Sequence, residues 1–280
     1  MNMKPLVQNI QVTKINHEEA LIRPDLLAVE EPLEIRLGFG PTAGREQMSL
    51  SVTMRTPGHD FELVLGFLFT EGVISSSEQV DSIQYCSSVK KDEAENVIRV
   101  ELKADKKLDC KKFQRHFYTS SSCGVCGKSS IDSVRVHCPP IQSALKITHD
   151  TVNSLPQKLR EAQAVFEHTG GLHASALFNE EGDLIMVRED VGRHNALDKV
   201  IGAMLLQKQT VLTNYVLMVS GRTSFELIQK AAVAGIPVVA AVGAPSSLAV
   251  SLAKEVGITL LGFVRDQKFN IYCGEQRVGR

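Results

Sequence analysis

The sequence predicts an α/β fold, α+β overall: a C-terminal sheet with helices on both faces, preceded by a smaller β-rich region. Three observations lead there. In the second half, short fully apolar strands alternate with helices, the pattern of a largely parallel sheet covered on both faces. In the first half, two runs alternate apolar and other residues with the period of half-buried strands. Between the halves, the run TSSSCGVCGKSS at Thr119–Ser130 has no apolar periodicity and reads as a loop rich in small residues. The expected organisation is a β-rich α+β region over residues 1–148, ending with that loop, and an α/β domain over 149–280.

In the first region, Leu33, Ile35, Leu37 and Phe39 mark one strand, and Met48, Leu50, Val52 and Met54 mark a second. Thr56-Pro57 opens a helix whose apolar face holds Phe61, Val64, Leu65 and Leu68. Val97–Leu102 is a further strand, and Lys103–Lys112 is a solvated charged stretch. In the second region, a helix from about Val152 to His168 stops at Gly170-Gly171. Leu172–Phe178 and Leu184–Val187 flank Asn179-Glu-Glu-Gly182 as a hairpin. A helix follows over Ala196–Gln207. Then come strand Tyr215–Val219, helix Phe225–Ala234, strand Pro237–Val242, helix Ser246–Val256 and strand Ile258–Val264.

The bulk numbers exclude several classes. With 280 residues, 43% hydrophobic and 22% charged, the chain has the composition of a soluble globular protein. A formal net charge of -1 supplies no global field for nucleic acid, so an anionic ligand must be held by local arginines. Val233–Val242, among the most apolar stretches, is short and broken by Gly235 and Pro237, so no membrane insertion is expected. The first residues lack the apolar core of a signal peptide, and a cytoplasmic location is the default expectation. The six cysteines should then be mostly reduced.

Cys123-Gly-Val-Cys126 is the first place where chemistry could reside. Zinc binding needs four ligands, normally a second C-x-x-C pair, and none is present; His137-Cys138 would have to complete the set. Deamination needs H-x-E and P-C-x-x-C, but Ser122 precedes the pair and the H-x-E at His17 is remote. Sulfur or redox chemistry fits better. The glycines leave backbone amides free to stabilise a thiolate, Lys128 adds positive charge, and a thiolate can take up sulfane sulfur as a persulfide.

The remaining candidates sit at strand ends. Arg188-Glu-Asp-Val-Gly-Arg-His-Asn195 lies between a strand and a helix, with Asp190 or Asn195 as possible helix caps and Arg188, Arg193 and His194 as candidate ligand contacts. Ser220-Gly221-Arg222-Thr-Ser224 and Gly243-Ala-Pro-Ser-Ser247 occupy the same position in the next two units. Together they read as one anion-binding rim for a nucleotide or a pterin pyrophosphate, although neither G-x-x-x-x-G-K-[ST] nor G-x-G-x-x-G occurs. Phe263-Val264-Arg265-Asp266-Gln267-Lys268, on pattern alone, is a charged turn closing a final hairpin.

Together these motifs, with Thr169-Gly-Gly-Leu-His-Ala174 and Gly262-Phe-Val-Arg265 followed by Tyr272, resemble the formate dehydrogenase accessory sulfurtransferases, the FdhD family. The matching segments run in family order over about half the chain. The resemblance implies a cytidine-deaminase-like C-terminal domain. It further implies a homodimeric sulfur carrier that takes sulfur from a cysteine desulfurase. The sulfur passes to bis-molybdopterin guanine dinucleotide (Mo-bisMGD) before that cofactor enters formate dehydrogenase. Cys123 would carry the persulfide and Cys126 would assist release. The segment Phe263–Lys268 would bind the cofactor, and GDP or GMP would mimic its nucleotide. The competing expectation is a non-catalytic cofactor-binding chaperone with structural zinc on the cysteine pair.

Overall fold

The computed structural model describes residues 4–17, 19–87, 90, 94–106, 138 and 140–279. Thr119–Ser130, with Cys123, Cys126 and Lys128, lies outside the described residues, as do Lys107–Lys112 of the charged stretch and His137.

Among the described residues, the N-terminal part holds two sheets. Strands β1 (Val7–Asn16) and β2 (Glu19–Ala28) form an antiparallel ribbon. The sequence reading missed it because almost nothing on it is buried; Ile15 and Ile22 stay 69% and 74% exposed, so no period-two burial marks it. Strands β3 (Glu31–Phe39), β4 (Glu46–Arg55), β5 (Val80–Tyr85) and β6 (Val97–Leu102) form a second sheet in the order β4-β3-β6-β5. On β3 the alternation is obeyed, with Leu33, Ile35 and Leu37 buried on one face, but on β4 it holds only to Leu50: a bulge between Ile35 and Arg36 shifts the register, and Val52 and Met54 are 50% and 40% exposed.

Helix α1 (Asp60–Thr70) starts four residues later than Thr56-Pro57 suggested. The delay has a cause. The Arg55 guanidinium donates two hydrogen bonds to the Asp60 carboxylate, at 3.0 and 2.9 Å, and both residues are buried. Thr56 is also tied to the C-terminal part, and Gly58 and His59 pass through the left-handed region (φ 91° and 58°). The chain therefore turns before it coils.

After the short strand β7 (Ile147–Thr148), the second part begins with α2 (His149–Ala162) and α3 (Ala164–Thr169). The expected single helix over 152–168 is thus broken at Gln163. The Glu189 carboxylate accepts the amides of Val165 and Phe166, at 3.0 and 2.8 Å, which founds a new helix N-terminus there. Gly170 stops α3 with φ 65°, as the glycine pair suggested.

Strands β8 (His173–Phe178) and β9 (Leu184–Asp190) form a hairpin, followed by α4 (Arg193–Leu206). The remaining elements are β10 (Val216–Val219), α5 (Phe225–Val233), β11 (Val238–Ala241), α6 (Ser247–Val256), β12 (Thr259–Arg265), β13 (Lys268–Cys273) and β14 (Val278–Gly279). The six-stranded sheet has the order β13-β12-β11-β10-β8-β9. Only β10, β11 and β12 are mutually parallel, and an antiparallel hairpin strand closes each side. The expected largely parallel sheet is therefore mixed, because β8–β9 and β12–β13 turn directly back on themselves without a crossover helix.

Both faces are covered. On β10, Val216 and Met218 join an apolar cluster with Val152, Leu155 and Leu159 of α2. The intervening Leu217 and Val219 join another with Leu197 and Val200 of α4 and Leu227 and Ile228 of α5. This second cluster continues into Leu33, Ile35, Leu63 and Leu68 of the N-terminal part, so apolar packing crosses residue 148. Among the described residues, no helix is long and apolar enough to cross a membrane.

Candidate functional site

The carboxyl ends of β10, β11 and β12 all lie on one edge of the sheet, since these strands run parallel. The turns that follow are stitched together. Gly243 donates its N–H to the Gly221 carbonyl at 3.1 Å, and Phe263 donates to the Gly243 carbonyl at 3.1 Å. Thr223 donates to Ala244 O, and Ser246 donates back to Thr223 O, at 3.1 and 2.9 Å. The turns after β10 and β11, two of the three strand ends grouped by sequence, are therefore one continuous rim, and Phe263 of β12, read from sequence as part of a charged turn, joins it in place of Arg188–Asn195. The packing is tight where they touch: a Cβ on Gly243 would sit 3.1 Å from Gly221 O, and one on Gly262 would sit 2.8 Å from the Tyr272 ring.

Next to this rim lies a crevice of about 560 Å³, in the range of small-molecule sites. Ser220, Val242 and His173 contribute from the sheet edge. Pro156, Leu159, Arg160, Gln163 and Phe166 contribute from α2 and α3. This is the position where open α/β sheets bind ligands. Ser220 holds the edge in place, its Oγ accepting the Ala174 N–H at 2.9 Å. The Arg160 guanidinium stands 4.3 Å over the Phe166 ring. His173 is half-buried, and burial, helped by the charges of Arg193 and His194, pushes its pKa below the ordinary histidine value.

The predicted contacts divide between this edge and the interior. Arg193 opens α4 close enough to His173 for its charge to count, and its Nε is buried without a hydrogen-bond partner among the described residues. His194 is 8% exposed, with Nε2 3.2 Å from Ser224 Oγ and 3.4 Å from Glu226 Oε2. Arg222 and Arg265 are exposed on the rim. Asp266 and Gln267 both take positive φ, 54° and 57°, between the paired Arg265 and Lys268, as a two-residue hairpin turn requires. Val264 is fully buried in the core. Phe263 lies in the left-handed region at φ 54°, where a bulge interrupts the β12–β13 register. A phenylalanine there stores backbone strain, which the rim's hydrogen bond to Gly243 helps to hold.

Arg188 faces elsewhere. It forks onto the Glu62 carboxylate of α1, with Nη2 2.8 Å from Oε1, and lines a separate cavity of about 100 Å³ with His59 and Lys199. Burial works to raise the Glu62 pKa, but the hydrogen bond from Arg188, with His59 adding to it, lowers it from 4.5 to about 2. A depressed carboxyl stabilises the fold above its unfolded pKa and loses that effect as pH falls through the folded one. The melting-temperature advantage of the native chain over Glu62→Gln is therefore expected to be full above pH 4.5 and to fade towards pH 2. A constant difference across that window, measured by thermal unfolding, would contradict the pairing.

Much of the charge after Arg188 proves to be internal bracing. Lys199 and Asp190, 1% and 0% exposed, form an ion pair at 2.7 Å. Lys199 also donates to Thr56 O, and Asp190 accepts from the amides of Thr56 and Gly192 and from Asn195 Nδ2. The cap of α4 is Gly192, with no side-chain cap, so neither Asp190 nor Asn195 caps it. Asn195 instead donates to Met54 O at 2.8 Å. A second brace joins Asp198, Lys230 and Thr70. Gln163 and Arg160 escaped the sequence reading; nothing in an ordinary amphipathic helix pattern marks the residue at which it will break.

Comparison with known proteins bears on this arrangement. The family model described as FdhD/NarQ matches residues 28–279. A protein from Mycolicibacterium paratuberculosis named sulfur carrier protein FdhD is 51% identical over 273 residues, covering 96% of this chain and 97% of the relative. One from Sulfurisphaera tokodaii with the same name is 42% identical over 272 residues, covering 97% of this chain and 99% of the relative. The crystal structure of a formate dehydrogenase accessory protein from Desulfotalea psychrophila superposes with a TM-score of 0.77 at 24% identity, over 98% of this chain and all of that one, and shows the same fold.

Proposed function

The chain belongs to the FdhD/NarQ family, and on that premise we propose that it is a sulfur carrier that matures formate dehydrogenase. Sulfur enters from a cysteine desulfurase and leaves to Mo-bisMGD, which is cargo, before the cofactor is inserted. The protein acts as a homodimeric sulfurtransferase in the cytoplasm. One observation carries most of the reading: beside a contiguous rim bearing Arg222 and Arg265 lies a crevice of about 560 Å³, a place to hold the cargo. Relatives named as sulfur carriers at up to 51% identity support the chemistry.

The chemistry falls to Cys123 and Cys126. The Cys123 thiolate attacks the terminal sulfur of the desulfurase persulfide and displaces the desulfurase thiolate, giving Cys123–S–SH. Attack of the Cys126 thiolate on Cys123 Sγ then expels hydrosulfide towards the cofactor and leaves a disulfide. A cellular dithiol reduces that disulfide and resets the carrier. Arg193, Ser220, Gly221, Arg222 and Gly243, with Phe263 and Arg265–Lys268, hold the nucleotide end of the cargo, where GDP or GMP would stand in for it; Val264 of that segment is in the core.

The zinc-chaperone reading is weaker. Structural zinc normally takes a second C-x-x-C pair, and the sequence holds none. Cys123→Ala separates the two readings from inactivity of unrelated origin when paired with Cys138→Ala. In cells lacking the native protein, Cys123→Ala is expected to abolish formate dehydrogenase activity, and Cys138→Ala to retain it. Full activity with Cys123→Ala would remove the proposed carrier.

A further inference from the structure

We propose that Gln163 selects the ligand of the crevice, donating a hydrogen bond to the ring oxygen of a flat 2-amino-4-oxopyrimidine heterocycle, the edge that guanine and pterin share. The inference rests on the reading of the crevice as a seat for the guanine dinucleotide cargo.

Gln163 sits at the break between α2 and α3 and lines the crevice. It is 5% exposed, and its amide Nε2 is sealed from solvent without a hydrogen-bond partner among the described residues. Buried donors are almost always satisfied, so an orphan in a cavity wall marks where a ligand atom completes the set. The surrounding chemistry narrows that atom. Leu159, Phe166 and Val242 offer apolar walls suited to the faces of a ring, and the Arg160 guanidinium stands 4.3 Å from the centre of the Phe166 ring. Ser220 Oγ already accepts the Ala174 amide. The Gln163 amide is a buried, unspent donor among the described residues, and an amide N–H requires an acceptor. A ring oxygen supplies one. In the pose that sets Nε2 against this oxygen, adenine would present its 6-amino group instead, donor against donor.

Calorimetry on the full chain tests this, with GDP, ADP and neopterin as ligands and with Gln163→Leu and Gln163→Glu as variants whose melting temperatures confirm folding. The expected result is that Gln163→Leu weakens GDP by about tenfold, one neutral hydrogen bond's worth. Gln163→Glu, which accepts where glutamine donates, shifts the GDP-over-ADP ratio towards ADP. If the variants weaken neopterin and spare GDP, the pterin occupies the crevice and the assignment of Gln163 stands. Unchanged affinities for both rings, or equal weakening of GDP and ADP, would overturn the role of Gln163 and leave the cargo reading in place. Failure of the unmodified chain to bind either ring overturns both.

Discussion

Gly202→Ala is expected to lower the unfolding free energy by about 3 kcal/mol, the upper part of the overpacking range. A Cβ at Gly202 would lie 1.8 Å from Glu62 O of α1, and one at Gly66 would lie 1.9 Å from Asp198 O of α4. The two helices cross backbone against backbone, with a glycine from each at the contact. Neither neighbour is a flexible side-chain end that can swing aside, so one helix must move. That motion opens the apolar cluster joining Leu63 and Leu68 to Leu197 and Val200. Gly279→Ala is the control, since nothing lies within 4 Å of its added carbon. Urea unfolding should show a lowered midpoint for Gly202→Ala with an unchanged slope, and no change for Gly279→Ala. A Gly202→Ala midpoint equal to the native one would show that α1 and α4 are not so closely packed.

Asp190→Ala should have a comparable effect for an electrostatic reason. It leaves the Lys199 ammonium, 1% exposed, with only the Thr56 and Glu189 carbonyls as partners. Breaking a buried pair by removing one member costs about 3–5 kcal/mol, mostly from the uncompensated charge. It also strips the Thr56 and Gly192 amides of their acceptor. Adding Lys199→Met to Asp190→Ala should therefore restore part of the loss, because the stranded charge is removed. If the double variant is less stable than Asp190→Ala by the full cost of Lys199→Met alone, the two residues do not act as a pair. The brace fixes the segment between Arg188 and Arg193, so its loss should also loosen the sheet edge beside the crevice.

The parts legible in the sequence were those with a local period. The alternation of β10, α5, β11, α6 and β12 is written in short apolar runs separated by Gly, Ser and Pro turns, and it placed the turns after β10 and β11 on one edge. The contact between those two turns is real, Gly243 donating to Gly221 O, while Phe263, which reads from sequence as part of a charged turn, completes the series. What the sequence hid was pairing over distance. Asp198 and Lys199 stand among Leu197, Val200 and Ile201 in a helix buried nearly all round, so each had to find a partner. Those partners, Lys230 and Asp190, come from other elements and carry no local signal. The same blindness merged brace and rim in the stretch from Arg188 to Lys199. Likewise Gln163 became visible only once Glu189, on β9, was seen to start a new helix beyond it.

Whether sulfur travels on Cys123 is tested most directly by mass spectrometry of the loaded protein. After incubation with a cysteine desulfurase and cysteine, the peptide containing Cys123 should gain the mass of one sulfur atom. A dithiol reductant should remove it, and Cys123→Ala should show none. No added sulfur on the native chain, or added sulfur confined to Cys126, would contradict the account.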